Sequence, residues 1–257
     1  MVKAKSKNLT KEGVSSTTTP PRSVSLENFK AFLRAHLAKC KCDSWGGISA
    51  SLPEFDLMPQ DYLNYANEAL ATPTDANKIN CIGHLKRAAE CEADTFLHIL
   101  SIGKLSKIKN FPAKMDVITY LDLMPSRSIS QLNRIRNRIE HEYAVPEIED
   151  LSVYFDLVAG FVSAIEGAIF MLISKSEMEF WADEDESPRV RFQLKYIAKE
   201  PEIRCAMNDG TETVFSVKPD DWDTFVETLR ILFLLIRCGY IVSNDYVLKH
   251  IDLKGTI

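Results

Sequence analysis

Residues 189–196 carry the feature that most limits how this chain can fold. The run RVRFQLKY alternates strictly, with Val190, Phe192, Leu194 and Tyr196 on one side and Arg, Gln or Lys on the other. Successive side chains of a β-strand point to opposite faces, so this pattern predicts a half-buried strand. Earlier segments instead repeat their apolar residues at steps of three and four, which is typical of helices. We therefore expect an α+β fold that is mostly α.

The segment 25–176 is predicted to form an antiparallel helical bundle. Ser25 is a candidate N-cap for a first helix over 25–41, and the Gly-, Ser- and Pro-rich run 42–59 predicts a loop. Short connections between the later helices favour antiparallel neighbours. Those later helices are expected over residues 60–71, 76–100, 113–124, 128–143 and 147–175.

The last part of the chain, 189–257, is predicted to be a small separate α+β domain. Two more strand-like runs, EIRCAMN and TETVFSV, follow the alternating run, and Asp209-Gly210 between them is a strong hairpin signal. A helix with a broad apolar stripe comes next. We expect a three-stranded antiparallel meander covered by that helix, and the acidic run 177–188 is predicted to be a linker.

Charge is unevenly placed along the chain. The net charge is −5, yet residues 1–24 hold five basic residues against a single acidic one, a net charge of +4. This Lys-, Ser- and Thr-rich segment has no apolar core, so it predicts a disordered tail rather than a secretory signal. Because no domain-wide positive field exists, any contact with RNA must be local.

Cysteine usage and hydropathy point to a cytoplasmic protein. The six cysteines show no framework spacing, and Cys40-x-Cys42 beside His36 lacks a second pair of metal ligands, so we expect neither disulfides, nor a metal, nor a cofactor. The apolar run 157–173 contains Glu166 and is shorter than a usual membrane span. It is interpreted as a buried central helix, with no membrane contact.

Residues 128–143 hold the side chains with the clearest chemistry. On a helix of about 100° per residue, His141 projects nearly opposite the apolar stripe and Arg136 lies at its flank. Asn137 is four residues before His141, so it shares a face with the imidazole and can orient it. The stripe itself consists of Ile129, Leu132, Ile135, Ile139 and Tyr143.

A purely structural interpretation of the same helix stays open. Arg136–Glu140 and Arg138–Glu142 are both spaced four residues apart, and a solvated, ion-paired helix face explains them without any function. In that case the protein is a plain helical interaction protein.

The string Arg136-Asn137-x-x-x-His141 resembles the R-x4–6-H signature of HEPN domains, including the polar residue that usually follows the arginine. The order of helices is similar too, since the motif precedes a long apolar helix. The run GHLKRAAECEADTFL (83–97) is similar to an earlier HEPN helix, and Glu90 stands at its Ala-x-Glu step as a supporting residue. The resemblance covers roughly residues 60–175.

This resemblance implies a metal-independent endoribonuclease that cleaves single-stranded RNA, as a toxin or an antiviral effector. The histidine of such enzymes transfers protons and the arginine holds the phosphate, roles that imidazole and guanidinium suit. Attack by the ribose 2′-hydroxyl would leave a 2′,3′-cyclic phosphate. The alternative within the family is a non-catalytic module that binds RNA, a nucleotide or a partner protein.

Two further expectations concern partners. Arg136 and His141 diverge by about 140° on a regular helix, so either the helix distorts there or two motifs meet across a homodimer. The resemblance to HEPN ribonucleases, which are known for the second arrangement, implies the homodimer. Tyr143 extends the string to R-x4-H-x-Y, which resembles toxins paired with a nucleotidyltransferase antitoxin that modifies this tyrosine. Its place on the apolar stripe favours a core role instead.

Overall fold

The computed structural model describes residues 22–124, 134, 148–182 and 189–252. Within these ranges the chain forms seven α-helices and a six-stranded mixed sheet, so the fold is α+β as predicted. Short 3-10 turns lie at Leu37–Lys39 and Ser106–Ile108. The helices are α1 (Leu26–His36), α2 (Pro59–Ala71), α3 (Asp75–Ile99), α4 (Phe111–Tyr120), α5 (Ile148–Ser174), α6 (Trp222–Arg237) and α7 (Asn244–His250).

Several helices begin where a capping side chain stands. The Ser25 hydroxyl accepts a hydrogen bond from the Asn28 backbone N–H at 3.4 Å, which confirms it as the cap of α1. Thr74 plays the same part for α3, at 3.3 Å from the Asn77 N–H. The first helix ends at His36, earlier than predicted, because the chain turns at Leu37–Lys39 and enters a strand.

The six strands run across the molecule in the order β1-β6-β5-β4-β3-β2. Strand β1 pairs with β6 in parallel, and all other neighbours are antiparallel. The strands are β1 (Arg22–Ser23), β2 (Cys40–Gly46), β3 (Glu177–Ala182), β4 (Arg191–Ile197), β5 (Glu202–Asn208) and β6 (Glu212–Val217).

Strand β4 confirms the alternation that the sequence predicted. Phe192, Leu194 and Tyr196 are buried, while the side chains between them face outward. Strands β5 and β6 also lie where predicted, and the turn between them places Gly210 at a φ of 110°, a conformation that glycine adopts without strain.

The sheet nevertheless has six strands where the sequence predicted three. Residues 40–46 were expected to end a helix and enter a loop, and 177–182 were expected to be linker, but they form β2 and β3. In β3 the buried residues Met178, Phe180 and Ala182 alternate with outward residues, and the acidic composition hid this short pattern. The expected boundary near residue 177 thus falls inside the sheet.

The predicted tail and linker are only partly described. Arg22–Ser23, at the end of the tail predicted over 1–24, form the short strand β1. The rest of the tail up to residue 21 lies outside the described residues, as does the linker segment 183–188.

One hydrophobic core joins the helices to the sheet. The Phe96 ring of α3 lies 6.1 Å from the Phe233 ring of α6, centroid to centroid. The Tyr196 hydroxyl of β4 donates a hydrogen bond to the Leu100 carbonyl at the end of α3. At Gly47 a Cβ would stand 2.3 Å from the Ile173 carbonyl oxygen. Only glycine therefore lets the chain that follows β2 pass so close to the end of α5.

Helix α5, which contains the run predicted to be a buried central helix, is buried on one side and exposed on the other. It packs against α2 and α3, while Val153 and Phe170 are 59% and 72% exposed. Within the described residues, Leu151–Ser174 is the one stretch long and apolar enough to cross a membrane, with a mean hydropathy of 2.0. Core helices of soluble proteins have the same length and composition, so this stretch alone does not show a membrane-spanning helix.

Candidate functional site

The motif predicted from sequence lies in a segment that the structure does not describe. Arg136, Asn137, His141 and Tyr143 all fall between residues 135 and 147, so their proposed roles stay predictions. Arg134, two residues before the motif, is helical and exposed. Apart from Arg134, the described chain ends at Met124, after α4, and resumes at Ile148, the first residue of α5.

Helix α3 holds the predicted supporting residue and a second acid that the sequence did not single out. Glu90 is half-buried on this helix. Glu92, two residues later, is only 2% exposed. The more deeply buried carboxyl of this helix is therefore Glu92.

Glu92 lies in an environment that favours its protonated form. Burial is the main cause, and the charge of Glu166 on α5 adds to it; together they raise the pKa of Glu92 from 4.5 to about 8. No described residue hydrogen-bonds its Oε1 atom. At neutral pH the group is thus mostly a neutral acid, which can donate a proton and accept hydrogen bonds.

A sequence signal for Glu92 existed. Leu85, Ala89 and Phe96 form the buried stripe of α3, and Glu92 falls on the same stripe at helical spacing. A carboxylate on an apolar stripe is costly unless it is paired or protonated, so it marks a position of interest.

His84 is a half-buried residue of α3 with a buried Nδ1 atom, and the predictions omitted it. Its ring packs against Tyr65 of α2 with centroids 5.5 Å apart, and no described residue bonds its Nδ1 atom. Burial, helped by the charge of Arg87, lowers the pKa of His84, which keeps the imidazole neutral. His84 and Glu92 are eight residues apart, about 12 Å along a helix, so they do not form one catalytic pair.

The described cysteines are structural thiols. None of the six forms a disulfide, and burial raises the pKa of Cys81, Cys91 and Cys238 to about 11, which makes these three poor nucleophiles. Burial also raises the pKa of Cys42, the half-buried residue of the Cys40-x-Cys42 pair. In the described ranges no group of three His, Cys, Asp or Glu is arranged to hold a metal ion.

The described residues thus bring together α3 and α5, the long helices before and after the motif segment, with a buried, protonatable carboxyl on the α3 side. His36, Cys40 and Cys42 lie on other elements, α1 and β2, and do not belong to this pair of helices. Neither a protein-family model nor a curated protein nor a solved structure matches this chain.

Proposed function

We propose that this chain is a metal-independent endoribonuclease of the HEPN type, which cleaves single-stranded RNA as a toxin or an antiviral effector. His141 transfers the proton, Asn137 orients its imidazole, and Arg136 binds the phosphate. The active form is a homodimer in the cytoplasm, with two motifs facing each other across a two-fold axis.

One observation carries the proposal: the buried carboxyl of Glu92 on α3, beside α5. Helix α5 begins at Ile148, seven residues after His141 in sequence, and it packs against α3. A buried acid with a strongly raised pKa and an oxygen left without a described partner is typical of functional sites. The packed helices α3 and α5 therefore contain a group suited to acid–base chemistry, which supports the proposal.

The chemistry follows from the residue types. The 2′-hydroxyl of the ribose attacks the adjacent phosphorus, and the bond to the 5′-oxygen of the next nucleotide breaks. Imidazole, with a pKa near 6.5, takes or supplies the proton at physiological pH. The guanidinium fork of Arg136 binds two phosphate oxygens and stabilises the developing negative charge. The products are a 2′,3′-cyclic phosphate and a free 5′-hydroxyl.

Cleavage of a labelled RNA by purified protein in EDTA tests this proposal. The parent protein should release products that end in a 2′,3′-cyclic phosphate. A matching DNA, or an RNA with one 2′-deoxy nucleotide at the cleaved position, should stay intact because the attacking hydroxyl is missing. His141→Ala and Arg136→Ala should each lower the rate about 100-fold or more, a typical loss for a proton-transfer group or an oxyanion contact.

Matched controls separate catalysis from general effects. Arg134→Ala removes an equal charge at an exposed position two residues from Arg136, and His98→Ala removes an exposed histidine from the end of α3. Both should cleave like the parent protein, and Tyr143→Phe should as well. Arg136→Lys should fail, because a point charge does not replace the planar fork. Equal cleavage by His141→Ala and the parent would instead support the ion-paired helix.

The homodimer has its own test. Sedimentation should give twice the mass of one chain, and mixing His141→Ala with Arg136→Ala should restore part of the activity if each site draws residues from two chains. A monomer that still cleaves RNA would remove the two-fold arrangement from the proposal.

A second candidate, a non-catalytic module that binds a partner protein, is favoured by one surface. The outer side of α5 exposes Val153 and Phe170 and carries Gly160 and Gly167 between them, whose α-carbons face open space. Exposed apolar surface of this kind often marks a protein interface. Under this alternative, whether the partner is an antitoxin, a nucleotidyltransferase or another protein, RNA stays uncut in the assay above.

A further inference from the structure

A cavity of about 600 Å³ lies between α4 and α6, away from the acid of α3. Its floor is apolar, built from Ile108 of the 3-10 turn, Val117 of α4 and Val226 of α6. Cavities of roughly 300–1,000 Å³ with apolar walls and a few polar groups are the usual form of small-molecule sites. The size and lining therefore suit a small organic ligand.

The polar groups of this cavity are mostly acidic. Asp116 of α4 and Asp223 and Glu227 of α6 line it, against one base, Lys107. Glu227 is already engaged by the buried ammonium of Lys30, whereas Asp116 and Asp223 are exposed at the rim. The carboxylates at the rim repel an anionic ligand and attract a cationic one.

Two aromatic side chains complete the cavity. The Lys107 ammonium lies 6.0 Å from the centre of the Trp222 ring, so this ring face already receives a cation. Tyr120 stands on the α4 side, where burial, followed by the charge of Glu227, raises its pKa above the ordinary value. Its phenol consequently stays protonated and able to donate a hydrogen bond.

We propose that this cavity binds a small organic cation, an amine or quaternary ammonium carried on an aromatic or alicyclic body. The body fills the apolar floor between Val117 and Val226. The cationic group lies at the rim, where Asp116 and Asp223 attract it. This binding goes beyond the proposed ribonuclease and does not depend on it.

Calorimetry with two probes of one ring system tests the charge requirement. Tryptamine should bind the full-length protein, and indole-3-propionate, which carries an anion on the same ring, should bind at least about tenfold more weakly. The double variant Asp116→Asn/Asp223→Asn should weaken tryptamine about fivefold, since each exposed charge pair contributes modestly. Trp222→Leu keeps an apolar wall but removes an aromatic contact with the ring system of the ligand, and should weaken tryptamine binding about threefold.

Two control variants lose the same number of carboxylates or tryptophans as the cavity variants, but at positions outside the cavity. Asp156→Asn/Asp245→Asn removes two exposed carboxylates outside the cavity, and Trp45→Ala removes an exposed tryptophan of β2; neither should change tryptamine binding. Three results would overturn the proposal: no tryptamine binding at millimolar concentration, equal binding of both probes, or equal losses in the cavity and control variants. Displacement of tryptamine by a lysine-rich peptide of higher affinity would reassign the cavity to protein contacts and overturn it too.

Discussion

Two charged side chains of this protein are equally buried but differently surrounded. Arg230 on α6 and Glu92 on α3 are each 2% exposed. The Nε of Arg230 donates to Asp122 at 3.0 Å and its Nη2 donates to the His250 carbonyl at 2.7 Å. Glu92 Oε1 has no such partner in the described part of the chain, and the charge of Glu166, which helps to raise the pKa of Glu92, is of like sign.

The difference separates a structural ion from a candidate functional group. Arg230 connects α6 to the turn after α4 and to the end of α7, so its burial is explained by the contacts it makes. Burying a carboxyl without such contacts costs several kcal/mol if it stays charged, and the group protonates instead. The raised pKa and the Oε1 atom without a described partner therefore make Glu92 a candidate for acid–base chemistry.

The largest expected effect comes from removing the satisfied ion. Arg230→Ala should lower the free energy of unfolding by about 3 kcal/mol, because it leaves the His250 carbonyl unpaired and creates a hole in the core. Urea denaturation measures this loss. Arg87→Ala, at an exposed position of α3, is the matched control and should change stability by less than about 0.5 kcal/mol. Equal midpoints for both variants would show that the Arg230 contacts carry no stability.

The next effect is the pH dependence that Glu92 imposes. Its pKa is raised from 4.5 to about 8, so between these values the folded protein holds a proton that the unfolded chain has released. Stability contributed by the protonated acid is then present at low pH and is lost as pH rises through this window, by up to about 1.4 kcal/mol per pH unit.

Glu92→Gln isolates this contribution, since the amide does not titrate. The parent and the variant should have similar stability near pH 5, and the variant should be the more stable one at pH 8. Urea denaturation of both proteins at several pH values gives the difference directly. A difference that does not change with pH would mean that Glu92 is already ionised at pH 5 or paired in the folded protein.

The sequence predicted elements that depend on local pattern and missed those that depend on distant pairing. The alternation around Phe192 placed β4, and Ser25 and Thr74 placed two helix starts, because each signal lies within a few residues. Strand β2 has little apolar alternation and forms by pairing with β3, which lies more than a hundred residues later in the chain. No local window contains that information, and the bulge between Cys42 and Ser44 breaks its period further.

The candidate site was likewise predictable from sequence only where its signal is local. The motif around His141 is local, and the sequence pointed to it, although the structure does not describe it. The prediction chose Glu90 on α3 from family resemblance, whereas Glu92 is the buried acid. Its raised pKa depends on burial, which the apolar stripe of α3 indicates, and on Glu166 from another helix, which does not follow from the residues near Glu92 in sequence.

The smallest expected effect distinguishes the two causes of that raised pKa. Glu166→Gln removes the like charge on α5 but leaves Glu92 as buried as before. Because burial is the larger cause, the pKa of Glu92 should fall only modestly and stay well above 4.5. Carbon-detected NMR titration of the Glu92 carboxyl follows this directly, with Asp156→Asn as a control that removes another exposed acid of α5. If the pKa of Glu92 returned to its ordinary range, repulsion between the Glu92 and Glu166 carboxylates would be the main cause of the raised pKa. The contrast with Arg230 would then concern charge rather than burial.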